Sequence, residues 1–310
     1  VTLAPVTDRD REAVVQKAAA KGRSLWDDAR RRLLNNRAAV ASVIVLAALL
    51  LAALLAVVFW PHAFDEIFRD YVRQPPTLDN GHIFGFDAQG RDLFARTVVG
   101  FLVSLAVGVF ATVVSLVIGL AWGATAGYVG GRIDQVMMRI VDVVYSLPYV
   151  FLVILLLAVT QDLTTGRAYL KLFILVAAIG GVQWLTMARI VRGQTLSLRR
   201  KEFVEAAVAA GATGPQIVRR HIVPNVLGPV VVYVTLTIPI VILAESFLSF
   251  IGLGVQEPLT SLGSLIKNGA EEIETMPWTL ICPAAVMMTT LLCFNFIGDG
   301  LRDAIDPKDR

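Results

Sequence analysis

Long apolar runs, separated by short segments that carry nearly all the charge, set the rhythm of this chain. A helix needs about 20 mostly apolar residues to cross the hydrocarbon core of a bilayer, and six stretches meet or approach that length. The first occupies residues 38–60, opened by Asn35-Asn36-Arg37 and stopped by Pro61. The second lies within the uncharged run 97–131, the third covers about 143–160 and the fourth about 172–188. The fifth runs from about 226 to 247, interrupted by Pro229 and Pro239, and the sixth from about 278 to 297. The pattern predicts an all-α integral membrane protein with six transmembrane helices. The first run is longer than the 7–15 residues of a signal-peptide core and begins only at residue 38, so it reads as an uncleaved anchor.

Composition supports lipid as part of the solvent. Only 17% of the 310 residues are charged and the mean hydropathy is +0.67. The net charge of +3 says little until it is placed. With the amino terminus in the cytoplasm, the inner segments hold 9, 2, 7 and 3 lysines plus arginines in chain order, 21 of the 28. That excess predicts a multi-pass protein with both termini in the cytoplasm. The expected division is a cytoplasmic segment 1–37, a first span 38–60 and an outer loop 61–96. A five-helix core 97–298, including a cytoplasmic loop 189–225, and a cytoplasmic tail 299–310 complete it.

Several segments have their own signal. Residues 23–36 place Leu25, Trp26, Ala29 and Leu33 on one helical face beside Arg30, Arg31 and Arg32, which suits either a short helix on the inner leaflet or a solvated charge run. The end of the outer loop, 84–96, mixes Gly85 and Gly90 with Asp87, Arg91 and Asp92, the makings of a turn with local ion pairs. Gly119, Gly123 and Gly127 line one face of the second span and allow a second backbone to approach, within this subunit or in a similar one. Glu245 is the one clear acid inside the spans and is a candidate pathway or gating residue. Its place near the outer end of the fifth span predicts that it reaches water or a backbone donor.

Cys282 and Cys293 share one apolar stretch, separated by roughly 16 Å along a helix, beyond disulfide reach. The chain contains no phosphate-loop motif, no H-E-x-x-H and no cysteine pattern for a metal, so it is not expected to be an enzyme. His62, His82 and His221 are expected to stand without ligand-like neighbours.

The loop 188–225 is long, basic and helix-forming. Residues 202–210 are strong helix formers, Gly211 is a natural stop, and Thr213 can cap a second helix that Pro224 ends. Ala206, Ala207, Ala209 and Ala210 would leave a surface almost bare of side chains, and Glu205 stands among Arg199, Arg200, Lys201, Arg219 and Arg220. Composition alone allows a protein-docking hairpin or an interfacial pair held by anionic lipid.

Glu205-Ala206-Ala207, then Gly211, then Val223-Pro224 resemble the EAA signature of permease subunits of binding-protein-dependent ABC importers. His221 and Val223 depart from it where isoleucine and leucine are usual. Blocks at 22–42, 86–96, 188–207, 245–258 and 294–310 are most similar to C-type permeases of oligopeptide importers. The resemblance implies the ABC type I importer permease fold, with 189–225 as a coupling loop whose Glu205, Ala206, Ala207, Gly211 and Pro224 meet an ATPase. It also implies a bacterial inner-membrane location, a second permease subunit, two cytoplasmic ATPase subunits that bind ATP and Mg, a periplasmic peptide-binding protein and a peptide substrate. No cofactor in this chain and no nucleic-acid partner are expected. Dipeptide, nickel or glutathione cargo remains open, as does a membrane scaffold. A secondary transporter would need midplane ionisable residues and a repeat in the two halves.

Overall fold

The computed structural model describes residues 25–77, 81–164 and 166–305. Residues 1–24 and the end of the tail, 306–310, lie outside the described part. Eleven helices organise it: α1 Leu25–Asn35, α2 Arg37–Phe59, α3 Leu93–Val129, α4 Gly131–Tyr145, α5 Tyr149–Val159 and α6 Ala168–Leu198, followed by α7 Glu202–Ala209, α8 Gly214–Ile217, α9 Val223–Phe250, α10 Leu262–Glu271 and α11 Trp278–Ile305. A single turn at Gln161–Thr164 lies between α5 and α6, and among the described residues the β-structure is limited to isolated bridges.

Among the described residues, five helices are long and apolar enough to cross a membrane: α2, α3, α6, α11 and the continuous stretch Gly214–Phe250. The third expected span differs. A helix begins at Gly131, where a connecting loop was expected, and the region is bent: α4 and α5, which together are long and apolar enough for one span, meet at 81° across Ser146-Leu147-Pro148. Pro148 explains the break, because its ring excludes the preceding residue from helical geometry and it has no N–H to donate. The amphipathic α4, with Arg132, Asp134, Arg139 and Asp142, concealed its helix from a search for apolar runs.

Two more boundaries move for a related reason. The fourth span continues as α6 to Leu198, taking in the first ten residues of the expected loop. The fifth starts at Gly214, so Pro224 does not end a helix but lies inside one. A π turn at Val218–Ile222 accommodates it: the Val223 N–H bonds to Val218 O, five residues back, and Asn225 Nδ2 donates to His221 O at 2.6 Å. Pro229 and Pro239 likewise sit within α9 without stopping it.

The α3–α6 pair forms the centre of the bundle. Cβ atoms added at Gly119, Gly123 and Gly127 would collide with Met187, Ala188 and Thr195 respectively, so the glycine face is filled by this chain's own α6. A cluster of Val107, Ala111, Leu175, Ile179 and Val241 closes one half of the bundle, and Ala124, Met187, Val191, Val204, Ile217, Ile222 and Val226 close the other. The first span is peripheral; Val43, Ile44, Leu51 and Val58 are exposed and suited to lipid. Asn36 caps it, its side chain accepting from Ala39 N–H at 3.2 Å. The amphipathic α1 is seated on the last span as well as on α2: Gly300 of α11 lies against Ala39 and Leu33.

Candidate functional site

The turn that joins α6 to α9 is built from the inside outwards. Val204, 2% exposed, is the buried anchor of α7, and with Ile217 and Ile222 it packs against Met187 and Val191 of α6. Arg199 fixes the entrance, its guanidinium 5.9 Å from the Tyr128 ring and its Nη1 donating to Val129 O at 3.4 Å. Ala210 caps α7 and Gly211, at φ +83°, makes the turn, a conformation that costs a side-chain-bearing residue energy. Thr213 and Gln216 form a capping box, with Thr213 N–H donating to Gln216 Oε1 at 2.9 Å.

This scaffold leaves Glu205, Ala206, Ala209, Ala210 and Gly211 exposed, beside Arg200, Lys201, Arg219 and Arg220. Ala207 turns inward and packs with the Val204 cluster, so it supports the surface rather than forming its bare part. The surface is also less bare than the alanines suggest, because Phe203 and Val208 are 39% and 55% exposed. Sequence reasoning passed over both, since an apolar residue in a helix is as readily assigned to the core as Val204. Pro224 is exposed on the helix beyond the π turn and does not belong to the same turn of chain.

The opposite end of the bundle is organised by charge. Asp92 caps α3, accepting from Ala95 N–H at 2.7 Å, and its other oxygen meets His82 Nδ1. The His82 ring stacks 4.2 Å from that of His62. Asp87 Oδ1 accepts from the N–H groups of Gln89 and Arg91, both at 2.9 Å, and its Oδ2 pairs with Arg91 Nε at 2.8 Å. The expected local ion pair is therefore present, and it reaches further: Arg91 Nη1 donates to Glu257 Oε1 at 2.7 Å, across 166 positions of sequence. The Arg91 hydrogen bond, aided by the charges of Arg91 and Arg96, holds the Glu257 carboxyl below the usual carboxylate range.

Glu245 lies five residues from the end of α9, as expected, but reaches no water: it is completely buried. Its Oε1 accepts from Ser249 Oγ at 2.6 Å and its Oε2 from Ser104 Oγ at 3.0 Å. The two hydroxyls are oriented by donors behind them, because Leu262 N–H donates to Ser104 Oγ and Val255 N–H to Ser249 Oγ, each at 3.1 Å. Backbone N–H groups can only donate, so each hydroxyl is left to point its proton at the carboxylate. Ser261 Oγ, the N-cap of α10, joins the same chain through Ser249 at 3.2 Å. One carboxylate thus ties α3, α9 and the start of α10 together. The serines alternated with apolar residues in the sequence and carried no signal of convergence.

Family comparison decides what kind of molecule carries these two ends. The family model described as "Binding-protein-dependent transport system inner membrane component" matches residues 115–310, and that described as "N-terminal TM domain of oligopeptide transport permease C" matches 24–76. The chain belongs to the binding-protein-dependent transport permeases. The permease is 49% identical to the oligopeptide transport system permease protein OppC of Haemophilus influenzae over 96% of this chain and 93% of that protein. It is 52% identical to the protein of the same name from Escherichia coli K12, over 95% of each. Its fold is shared with an inward-facing structure of the MetNI methionine ABC transporter, at TM-score 0.55 and 23% identity over 69% of this chain and 98% of that one. The permease is the membrane component of an ABC importer. Both family models cover regions whose architecture is described above: α1 and α2 with the following loop, and most of α3 through α11.

Proposed function

We propose that this permease forms, with a second similar subunit, the route by which oligopeptides enter a bacterial cell across the inner membrane. Relatives that match nearly the whole chain and are named for oligopeptide transport carry the cargo assignment. In this reading both termini and the α7 turn face the cytoplasm, as the lysine and arginine distribution favours. ATP and Mg belong to two ATPase subunits there, and a periplasmic binding protein delivers peptide to the opposite face.

The exposed turn around Glu205, Ala206 and Gly211 is the contact to an ATPase subunit. Small side chains allow close seating, Phe203 and Val208 offer apolar surface to a groove, and Glu205 beside the cations orients the contact. Ala207 and Val204 hold that surface in place from beneath. Closure of the ATPases on ATP would draw the turn towards its counterpart in the second subunit and open the route outward; hydrolysis would reset it. Pro224 acts through the helix geometry that the π turn sets, and Glu245 acts by fixing α10 rather than by touching cargo.

Reconstitution tests the reading. Vesicles containing the permease, its partner subunit, the ATPases and the binding protein should take up labelled oligopeptide only with ATP. Glu205→Lys should release the ATPase or uncouple hydrolysis from uptake while both permease subunits remain assembled. Normal ATPase retention and uptake in that variant would remove the docking role from Glu205.

A further inference from the structure

The break in the third span raises a question that lipid cannot answer. Counting 1.5 Å per residue, α5 puts the break about 16 Å from the end of the span at Val159. The facing residues agree: Ile240 lies about 15 Å from the end of α9 at Phe250, and Gln183 about 22 Å from the start of α6 at Ala168. For a hydrocarbon core of about 30 Å, these distances place the break near the middle of the membrane. Non-helical backbone is tolerated at that depth only where protein covers it or where it borders water. This chain does not cover it. Tyr145, Leu147 and Tyr149 are 53%, 50% and 44% exposed, and Ser146 and Pro148 are exposed between them.

The break also borders an open cavity of about 340 Å³, lined by Tyr145, Leu147 and Tyr149 together with Gln183, Thr186 and Ile240. Towards the α7 end this cavity is followed by a wider one of about 770 Å³, lined in part by Arg139, Asp142 and Arg189. The two adjoin through Arg189, whose guanidinium lies 4.1 Å over the Tyr145 ring while its Nη2 pairs with Asp142 at 2.8 Å. The side chains of that pair remain 36% and 55% exposed. By the same count Arg189 lies about 32 Å from Ala168, at the inner edge of the core, so the open pair marks where the second cavity meets water.

We propose that the break between α4 and α5, with the facing stretch of α6, lines the water-filled route and contacts the main chain of the peptide in transit. This inference rests on the importer reading above. The chemistry of the lining selects the main chain as the recognised feature. Two phenols, one carboxamide and one hydroxyl can donate to and accept from peptide amides, and the aromatic faces pack on them whatever the side chains. A surface of this kind passes many sequences and fixes none. A second permease helix seated on the same surface is the competing occupant, but it would have to bury the open Asp142–Arg189 pair.

Cysteine accessibility in the assembled, reconstituted complex tests this. Cys282 and Cys293 are first replaced by alanine, then Ser146→Cys is compared with Leu51→Cys, which sits on the exposed apolar face of the peripheral first span. A charged, membrane-impermeant maleimide should label Ser146→Cys at least about ten-fold faster, because the thiolate forms only in contact with water. An oligopeptide carrying a photoreactive group, supplied with binding protein and ATP, should crosslink to the 145–149 segment. Leu147→Cys repeats the measurement if Ser146→Cys does not assemble. Labelling no faster than at Leu51→Cys, or crosslinks from this segment only to the second permease subunit, overturns the proposal. Uptake by the unsubstituted complex is measured in parallel: its absence removes the importer reading, whereas uptake with an unlabelled break removes the lining alone.

Discussion

The two ends of the permease solve opposite problems with similar residue types. At the α7 turn, charge is left in the open: Glu205, Arg200, Lys201, Arg219 and Arg220 are exposed, and the turn is held from below by Val204, Ile217 and Ile222. At the other end, Asp87, Arg91, Asp92 and Glu245 are buried and satisfied by local partners together with two distant ones, Glu257 and Ser104. Exposed charge contributes little to stability and stays available for a partner, whereas buried charge must be matched within the fold. The difference separates an end whose charge is matched within the chain from one whose charge is left open to its surroundings.

The contrast fails if the buried end proves tolerant. Glu245→Ala should destabilise the purified complex by about 3–5 kcal/mol, from two orphaned hydroxyls and the space left behind. Thermal unfolding in detergent would show it, and an unchanged melting temperature would mean that the serine network is not holding α10. Arg91→Ala should cost about 2–3 kcal/mol, because the buried Asp87 loses the nearer of its two cations, with only Arg96 left at 3.6 Å.

Glu257 sharpens the comparison because it is the exposed member of the buried network. Its side chain is 67% exposed, so Glu257→Gln should cost no more than about 1 kcal/mol. Its carboxyl is depressed in the fold by the Arg91 hydrogen bond, so the unfolded chain takes up the proton first as pH falls. The contribution is therefore complete above the ordinary glutamate range, near 4.3, and is lost as pH falls through the lower folded value. Melting temperatures of the parent and Glu257→Gln should converge at strongly acid pH and separate towards neutrality. Glu205→Lys, at the open end, should move stability by less than about 0.5 kcal/mol while abolishing ATPase retention. A large stability loss in that variant would place Glu205 in the scaffold instead.

Much of this was legible before any coordinates. Glycine spacing announced the helix face that α6 fills, and apolar run length located five of the spans. Asp87 and Arg91 were close enough in sequence to signal their pair. Glu257 and Ser104 were not, because nothing local marks residues that meet across 166 and 141 positions. The third span was misjudged because α4 is amphipathic, and a search for uninterrupted apolarity discards such a helix.

By itself the sequence determined that the chain carries membrane-crossing helices, where along it the charge gathers, and that a short helix and a glycine turn follow residue 201. These follow from hydropathy, charge and local helix grammar, all of which act over a few residues. Only the tertiary structure decided that Ala207 faces inward, that Pro224 is absorbed by a π turn, that Glu245 is sealed among serines, and that the break at Ser146 stays uncovered. Each depends on which distant side chains occupy the neighbouring space, and packing between elements is not encoded in the periodicity of either one.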